Sequence, residues 1–187
     1  MIYCPKELIL KNNKICILRN ADLKDSEEMI NFLKSTSAES PYMIRYYEEI
    51  NISFEEEKKF LENKIKNPGE IILIAVVDNK IVASIGLNLL SPYLKFRHRR
   101  EIGICVKKDY QNLGIASILM KEIISIAKNT NAEQIELEVS TENIAAINLY
   151  KKFGFKIYGE RRNSYKFKDN TYNDMYLMIL ELKKRLQ

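Results

Sequence analysis

The chain is short of the residues that build metal centres and disulfide frameworks. Its 187 residues include three cysteines, Cys4, Cys16 and Cys105, and one histidine, His98. Cysteines odd in number and this far apart spell neither a disulfide framework nor a zinc site. No metal is expected, and the setting is read as reducing, intracellular and cytoplasmic. Long apolar runs are missing too: none approaches the roughly 18 residues that span a bilayer. The opening MIYCPKELIL lacks the charged start and small-residue cleavage site of a secretory signal. No repeat, Pro/Ser-rich linker or low-complexity tract divides the chain, so one domain over residues 1–187 is expected. Strong net charge is also absent. Thirty Lys and Arg stand against 25 Asp and Glu, a balance of +5, which favours a solvated surface over nucleic-acid binding. The basic runs KFRHRR (95–100) and ERRNSYKFK (160–168) could still attract a polyanion such as a phosphorylated cofactor.

What is present is an ordinary globular balance, 46% hydrophobic and 29% charged, on a chain long enough for a sizeable core. Residues 1–13 read as an extension. KICILRN alternates Ile15 and Ile17 with Cys16 and Leu18, as a strand does. Asp25 or Ser26 caps a short helix through Lys34, and residues 35–52 read as irregular. Ser53 and Glu56 form a capping box for a helix that stops near Asn67-Pro68-Gly69. EIILIAVV and KIVASIGLNLL flank Asp78-Asn79 as a hairpin. REIGICV and QIELEV (134–139) are further strands. A helix follows from about Glu142 to Lys152, and two long strands surround Lys168-Asp169-Asn170. Helices and strands mix without strict βαβ alternation, so the fold class is α/β or α+β with a mixed sheet.

Between REIGICV and QIELEV lies DYQNLGIASILMKE, which changes from turn-like to helical at Gly114. Ile115, Ile118, Leu119, Ile123, Ile126 and Ala127 then recur at helix spacing. A strand–glycine turn–helix unit aims unpaired N–H groups and the positive helix end at one point, which suits a phosphate or pyrophosphate. Gly114 permits close backbone approach. Alone, a glycine before a helix is more often just a turn. The loop fits neither G-x-x-x-x-G-K-[ST] nor G-x-G-x-x-G, which argues against a P-loop or Rossmann site.

Two motifs in order make the pattern specific. VKKDYQNLGIASILM followed by IELEVSTENIAAINLYKKFGF resembles the GNAT superfamily of acetyl-CoA-dependent N-acetyltransferases, and its ribosomal-protein and spermidine branches in particular. Gln111 to Ala116 matches the family's Q/R-x-x-G-x-G/A pyrophosphate loop. Asn143, Ala145, Ala146, Leu149, Tyr150, Gly154 and Phe155 match its N-x-A-A-x-x-L-Y-x-x-x-G-F segment. The resemblance runs from about residue 15 to 182 and is weakest over 35–68. It implies a mixed, mostly antiparallel sheet, splayed between the strands near 101–106 and 134–139. It implies that the N–H groups of Gln111, Asn112, Leu113, Gly114, Ile115 and Ala116 hold the pyrophosphate of coenzyme A. Pantetheine is then expected on the backbone of Ile104, Cys105 and Val106, with Asn143 on the cofactor arm.

Acyl transfer from a thioester to an amine needs a neutral amine, a polarised carbonyl and a proton for the leaving thiolate. A backbone N–H of Val106 or its neighbour can polarise the carbonyl. Tyr150 is the expected acid: it shares a helix face with Asn143, and the family motif places a tyrosine there. A core tyrosine is the plain structural alternative. Along QIELEV, Ile135, Leu137 and Val139 face one side and Gln134, Glu136 and Glu138 the other. Glu138 is the expected base. It stands twelve residues before Tyr150, a spacing that matches ribosomal-protein alanine acetyltransferases. Glu101 competes for the role, because other branches of the family use a carboxylate on that strand. Both glutamates could instead be solvated strand charges. Cys105, in an apolar strand without a histidine–carboxylate pair, is a poor nucleophile. Glu48, Glu49 and Glu55 to Glu57 could attract a cationic amine, or could simply favour a helix start. The expected activity is acetyl transfer from acetyl-CoA to a primary amine: a small molecule, polyamine or amino acid. A protein N-terminus as acceptor, or a non-catalytic acyl-CoA-binding module, are the alternatives. The partners implied are a small-molecule or peptide acceptor, with neither membrane nor nucleic acid, and a homodimer is compatible with the pattern.

Overall fold

Long aliphatic and β-branched residues crowd positions 71–89, and Asp78-Asn79 interrupts them once. These two residues take the left-handed φ values, +49° and +60°, that a two-residue hairpin turn requires. In the computed structural model, which describes residues 1–182, β3 (Ile71–Val77) and β4 (Lys80–Leu89) accordingly pair antiparallel. Residues 183–187, the end of the expected domain, lie outside the described residues. β3 is buried on both faces, which is why its sequence is a run of aliphatics rather than an alternation.

Twelve elements follow in chain order. They are β1 (Lys6–Ile9), β2 (Ile15–Asn20), α1 (Ser26–Glu39), α2 (Phe54–Lys66), β3, β4, β5 (Arg99–Val106), α3 (Ile115–Lys128), β6 (Gln134–Ser140), α4 (Ile144–Lys152), β7 (Lys156–Lys166) and β8 (Tyr172–Glu181). The strand order is β1-β2-β3-β4-β5-β6-β8-β7. Among the pairings described, β5 with β6 is parallel and the others are antiparallel. The expected mixed, mostly antiparallel sheet with helices is the fold observed. The chain groups into two compact units, Met1–Asn88 with Gly103–Ile123, and Leu89–Ile102 with the chain from Ile124 on. It passes from one unit to the other inside β4, inside β5 and inside α3.

The first unit has a core of Ala21, Met29, Phe32, Leu61, Ile72, Ile74 and Ile81, drawn from the β2–α1 connection, both early helices and the β3–β4 hairpin. Ser53 caps α2 as expected. Its hydroxyl accepts the Glu56 N–H at 3.3 Å, and its own N–H donates to Glu56 Oε2 at 2.8 Å. Three readings change here. Residues 1–13 are not a plain extension, because β1 pairs with β2 from Lys6↔Leu18 to Ile9↔Ile15. β1 is an edge strand with exposed residues at three of four positions, so it has no alternation to read. Second, α1 runs five residues past Lys34. Residues from 35 on read as irregular, but Thr36 Oγ1 donates back to the Phe32 carbonyl at 2.9 Å and so stays satisfied inside the helix. Third, the buried face of α3 includes Met120 and Ile124, while Ile118 and Ile126 are only half-buried.

In the second unit, β5 pairs with β6 from Arg99↔Gln134 to Glu101↔Glu136. β6 pairs with β8 along its whole length, Gln134↔Glu181 to Ser140↔Met175. Ile135, Leu137, Val139, Ile147, Phe155, Met175 and Met178 fill this core. Glu136 is buried, unlike Glu138 on the row the two share. It is 7% exposed and takes a bidentate fork from Arg99, with Nη2–Oε2 at 2.6 Å.

Candidate active site

The turn that leads into α3 forms as its sequence suggests. A 3₁₀ turn over Lys108–Tyr110 follows β5, Asn112 takes φ +62°, Gly114 takes φ +91°, and α3 begins at Ile115. A Cβ on Gly114 would meet no other atom within 4 Å. What the chain itself needs from glycine here is therefore the left-handed backbone, which other L-residues adopt at a cost. The first bond of α3 runs from Ile118 N–H to the Gly114 carbonyl at 3.1 Å, so the N–H groups just before it have no partner within the helix. One expected donor is otherwise engaged. The Gln111 N–H bonds the Lys108 carbonyl at 3.2 Å, and its side chain donates to the Val106 carbonyl at 3.4 Å.

Ile104, Cys105 and Val106 are half-buried and belong to the same unit as this turn. Lys107 N–H, next along, donates to the Val82 carbonyl at 2.9 Å. Cys105 packs against the first unit's core and lies 3.7 Å from the Met43 sulfur. Burial pushes its thiol pKa up, against smaller opposing pulls from Thr36 and the Val106 N–H, as befits a structural rather than a nucleophilic cysteine.

A cavity of about 620 Å³ opens in the same unit, among α1, the segment before α2, α2 and the β3–β4 hairpin. Three of the five acids flagged in the sequence line it: Glu49, Glu56 and Glu57. Glu49 and Glu56 spend a carboxylate oxygen on backbone N–H groups, those of Tyr46 and Ser53, each at 2.8 Å. Glu57 is different. It is 3% exposed, and its Oε1 is buried without a hydrogen-bond partner. Desolvation raises its pKa, and the charge of Arg45 works against that rise. Sequence reasoning missed Arg45 altogether. It sits in the stretch read as irregular, where no periodicity marks a residue that lines a site.

Glu101, Glu138, Asn143 and Tyr150 all belong to the second unit. Glu101 is exposed on β5. Glu138 is exposed on β6 and accepts from Arg161 Nη1 at 2.8 Å. The burial of Glu136 separates these candidates from their neighbour. Desolvation presses its carboxyl upward, but hydrogen bonds from Arg99, Gln134 and Tyr158 hold its pKa below the ordinary glutamate range. Asn143 is the N-cap of α4, with Oδ1 accepting the Ala146 N–H at 3.2 Å. Tyr150 is 6% exposed, and its ring centroid lies 5.9 Å from that of Phe155. Behind it, Gly154 (φ +90°) donates to the Lys151 carbonyl at 3.0 Å and Phe155 to the Tyr150 carbonyl at 3.1 Å. These two bonds are a Schellman cap, and the Tyr150–Phe155 contact is the hydrophobic pair that accompanies it. The N-x-A-A-x-x-L-Y-x-x-x-G-F segment is thus a short helix capped at both ends, with Tyr150 clamped in its last turn. Among the described residues, no group of three or more His, Cys, Asp and Glu could hold a metal ion, and no helix is long and apolar enough to cross a membrane.

Known proteins resemble this chain in sequence and fold. The chain is 28% identical over 163 residues to an L-amino acid N-acetyltransferase of Escherichia coli K12, covering 87% of this chain and 95% of that one. It is 30% identical over 172 residues to an N-alpha-acetyltransferase of Sulfurisphaera tokodaii, covering 87% and 93%. A crystal structure of a GNAT-family acetyltransferase from Streptococcus pneumoniae superposes with a TM-score of 0.84 at 29% identity, covering 89% of this chain and 98% of that one. The class is that of the N-acetyltransferases, enzymes that transfer an acyl group. Residues 30–155 match the family model described as the Acetyltransferase (GNAT) family, and the chain belongs to that family.

Proposed function

We propose that this protein moves the acetyl group of acetyl-CoA to the primary amine of a small molecule by direct attack in a ternary complex, and that its chain acts as one cytoplasmic domain. The family match over residues 30–155 runs through both compact units and so supports the single domain. The observation that carries the reading is the glycine turn: φ +91° at Gly114, free space where a side chain would stand, and a helix N-terminus directly behind it. The N–H groups from Asn112 to Ala116 bind the pyrophosphate. Gln111, its own N–H spent on Lys108, braces the turn through Val106. Ile104, Cys105 and Val106 offer backbone groups to pantetheine in the manner of an added strand. Asn143, whose Oδ1 caps α4, reaches the cofactor arm through its amide nitrogen.

Acetyl-CoA supplies the acyl group as a thioester. Glu138 takes a proton from the ammonium, directly or through water, with Glu101 as the competing base. A backbone N–H of Val106 or its neighbour polarises the carbonyl. As the amine nitrogen bonds to the carbonyl carbon and the C–S bond breaks, Tyr150 gives its hydroxyl proton to the departing sulfur, and the second proton shed by the nitrogen passes through water to the Tyr150 phenolate. Much of the rate comes from holding both substrates together.

Acetylation of a protein N-terminus is the second reading. Two observations favour it: the N-alpha-acetyltransferase relative, and the twelve-residue spacing of Glu138 and Tyr150. The test is an acetyl-CoA consumption screen over polyamines, amino acids, aminoglycosides and short peptides. Turnover with a small amine is expected. Turnover with peptides alone selects the second reading, and coenzyme A binding without turnover on any amine leaves a binding module.

A further inference from the structure

The cavity in the first unit holds two opposite charges that do not close on each other. Glu57 lies on its wall, 3% exposed, with Oε1 lacking any hydrogen-bond partner. A carboxylate kept out of water without a partner is costly unless a ligand supplies the missing charge. The other two acids on the wall are engaged in turn and helix caps, so Glu57 is the one left for a ligand. Arg45 lines the same cavity and its charge acts on Glu57, yet no ion pair joins the two among the described residues. Between them the walls are apolar: Met29, Leu33, Ile52, Phe60 and Ile72. Cys105 of β5, on the strand assigned to pantetheine, packs against the same core cluster to which Met29 and Ile72 of the cavity wall belong.

We propose that this cavity receives the acetyl acceptor and selects a free α-amino acid with a large apolar side chain. Glu57 holds the ammonium, Arg45 holds the carboxylate, and the side chain lies on the apolar wall. The proposal rests on the acetyl-transfer reading above. A polyamine fits poorly, because Arg45 repels its second cation. A peptide N-terminus fits poorly as well, because it brings no carboxylate next to its amine.

The test compares acetylation of L-phenylalanine, L-phenylalaninamide, spermidine and an alanine-initiated peptide by the full chain and two variants. Wild type should favour L-phenylalanine over its amide at least about tenfold in kcat/KM, the scale of a lost hydrogen bond to a charged group. Glu57→Gln should raise the KM for L-phenylalanine at least about tenfold, with the KM for acetyl-CoA unchanged. Arg45→Ala should bring L-phenylalanine down to the level of the amide and leave the amide where it was. Arg45 is exposed, so this variant decides the matter even if Glu57→Gln fails to fold. Equal use of acid and amide by wild type overturns the proposal, as does an unmoved KM in a folded Glu57→Gln. Turnover of spermidine or the peptide alone overturns it while acetyl transfer stands. Bound coenzyme A with none of the four acetylated overturns this proposal, and the wider amine screen then decides the transfer reading separately.

Discussion

Tyr150 carries two loads. It closes the last turn of α4 against Phe155, and it is the candidate proton donor. Tyr150→Phe separates them, because the ring still packs while the hydroxyl is gone. Melting temperature and the KM for acetyl-CoA should stay close to wild type, while kcat falls at least about tenfold, within the range of general-acid contributions. Steady-state kinetics on the best acceptor would check this. Wild-type turnover in a folded variant would leave water as the donor. Gly114 allows a similar separation. Gly114→Ala and Gly114→Glu share the strain of a left-handed backbone, of order 1–2 kcal/mol, but only the glutamate puts bulk and negative charge where a pyrophosphate would lie. Calorimetry should find coenzyme A affinity largely kept in the alanine variant and reduced at least about tenfold in the glutamate variant. Both residues were legible in the sequence because they stand in motifs. Glu57 was legible only as one of five acids, since nothing in a sequence marks which carboxylate a fold will bury. Arg45 carried no signal at all.

At the scale of elements, α4 shows why a motif can look purely functional. Asn143 starts the helix and Gly154 stops it, so the pattern between them is as much a helix of fixed length as a cofactor site. Gly154→Ala forces a side chain onto φ +90° and brings its Cβ to 3.4 Å from Leu180 Cδ1. A loss of roughly 1–3 kcal/mol is expected, read as a melting temperature lower by about 2–4 °C per kcal/mol. Activity should fall with it, because the cap positions Tyr150. Wild-type stability and turnover would count against the clamp. The strands and helices from Ser53 onward were legible because each begins or ends on chemistry that admits one geometry: the Ser53–Glu56 box, Asp78-Asn79, Gly114, Gly154. The early chain was less so. β1 buries too little to alternate, and α1 hides its length behind hydroxyls that bond back into the helix.

For the molecule as a whole, the buried carboxylates pull stability in opposite directions with pH. The Asp25 carboxyl is held low although burial works to raise it, because Arg19 forks onto it at 2.6 and 2.7 Å and Asp22 N–H adds a third bond. Glu136 is held low in the same way by Arg99. Their contribution is complete above the ordinary carboxylate values, near pH 4, and is lost as pH falls through the depressed ones. Glu57, raised by burial, does the reverse. In the window between its ordinary and raised values the folded state holds the extra proton, so stability declines as pH rises. Urea unfolding from about pH 3 to 8 should therefore show an acid-side rise followed by a decline. Glu57→Gln should keep the rise and remove the decline. A decline that persists in this variant would mean another group causes it. The passage of the chain between units has a different consequence, one of timing. Each unit is assembled from two stretches, and the earlier stretch of each must wait for the later one. On the ribosome, residues 1–88 cannot complete their unit until 103–123 have been made, by which point 89–102 are already waiting for the chain beyond 124. Translation thus delivers neither unit as a finished block. A growing chain halted before residue 103 should remain open to protease along the outer side of β4, because β3 is in place but β5 (Arg99–Val106), its other neighbour in the sheet, is incomplete.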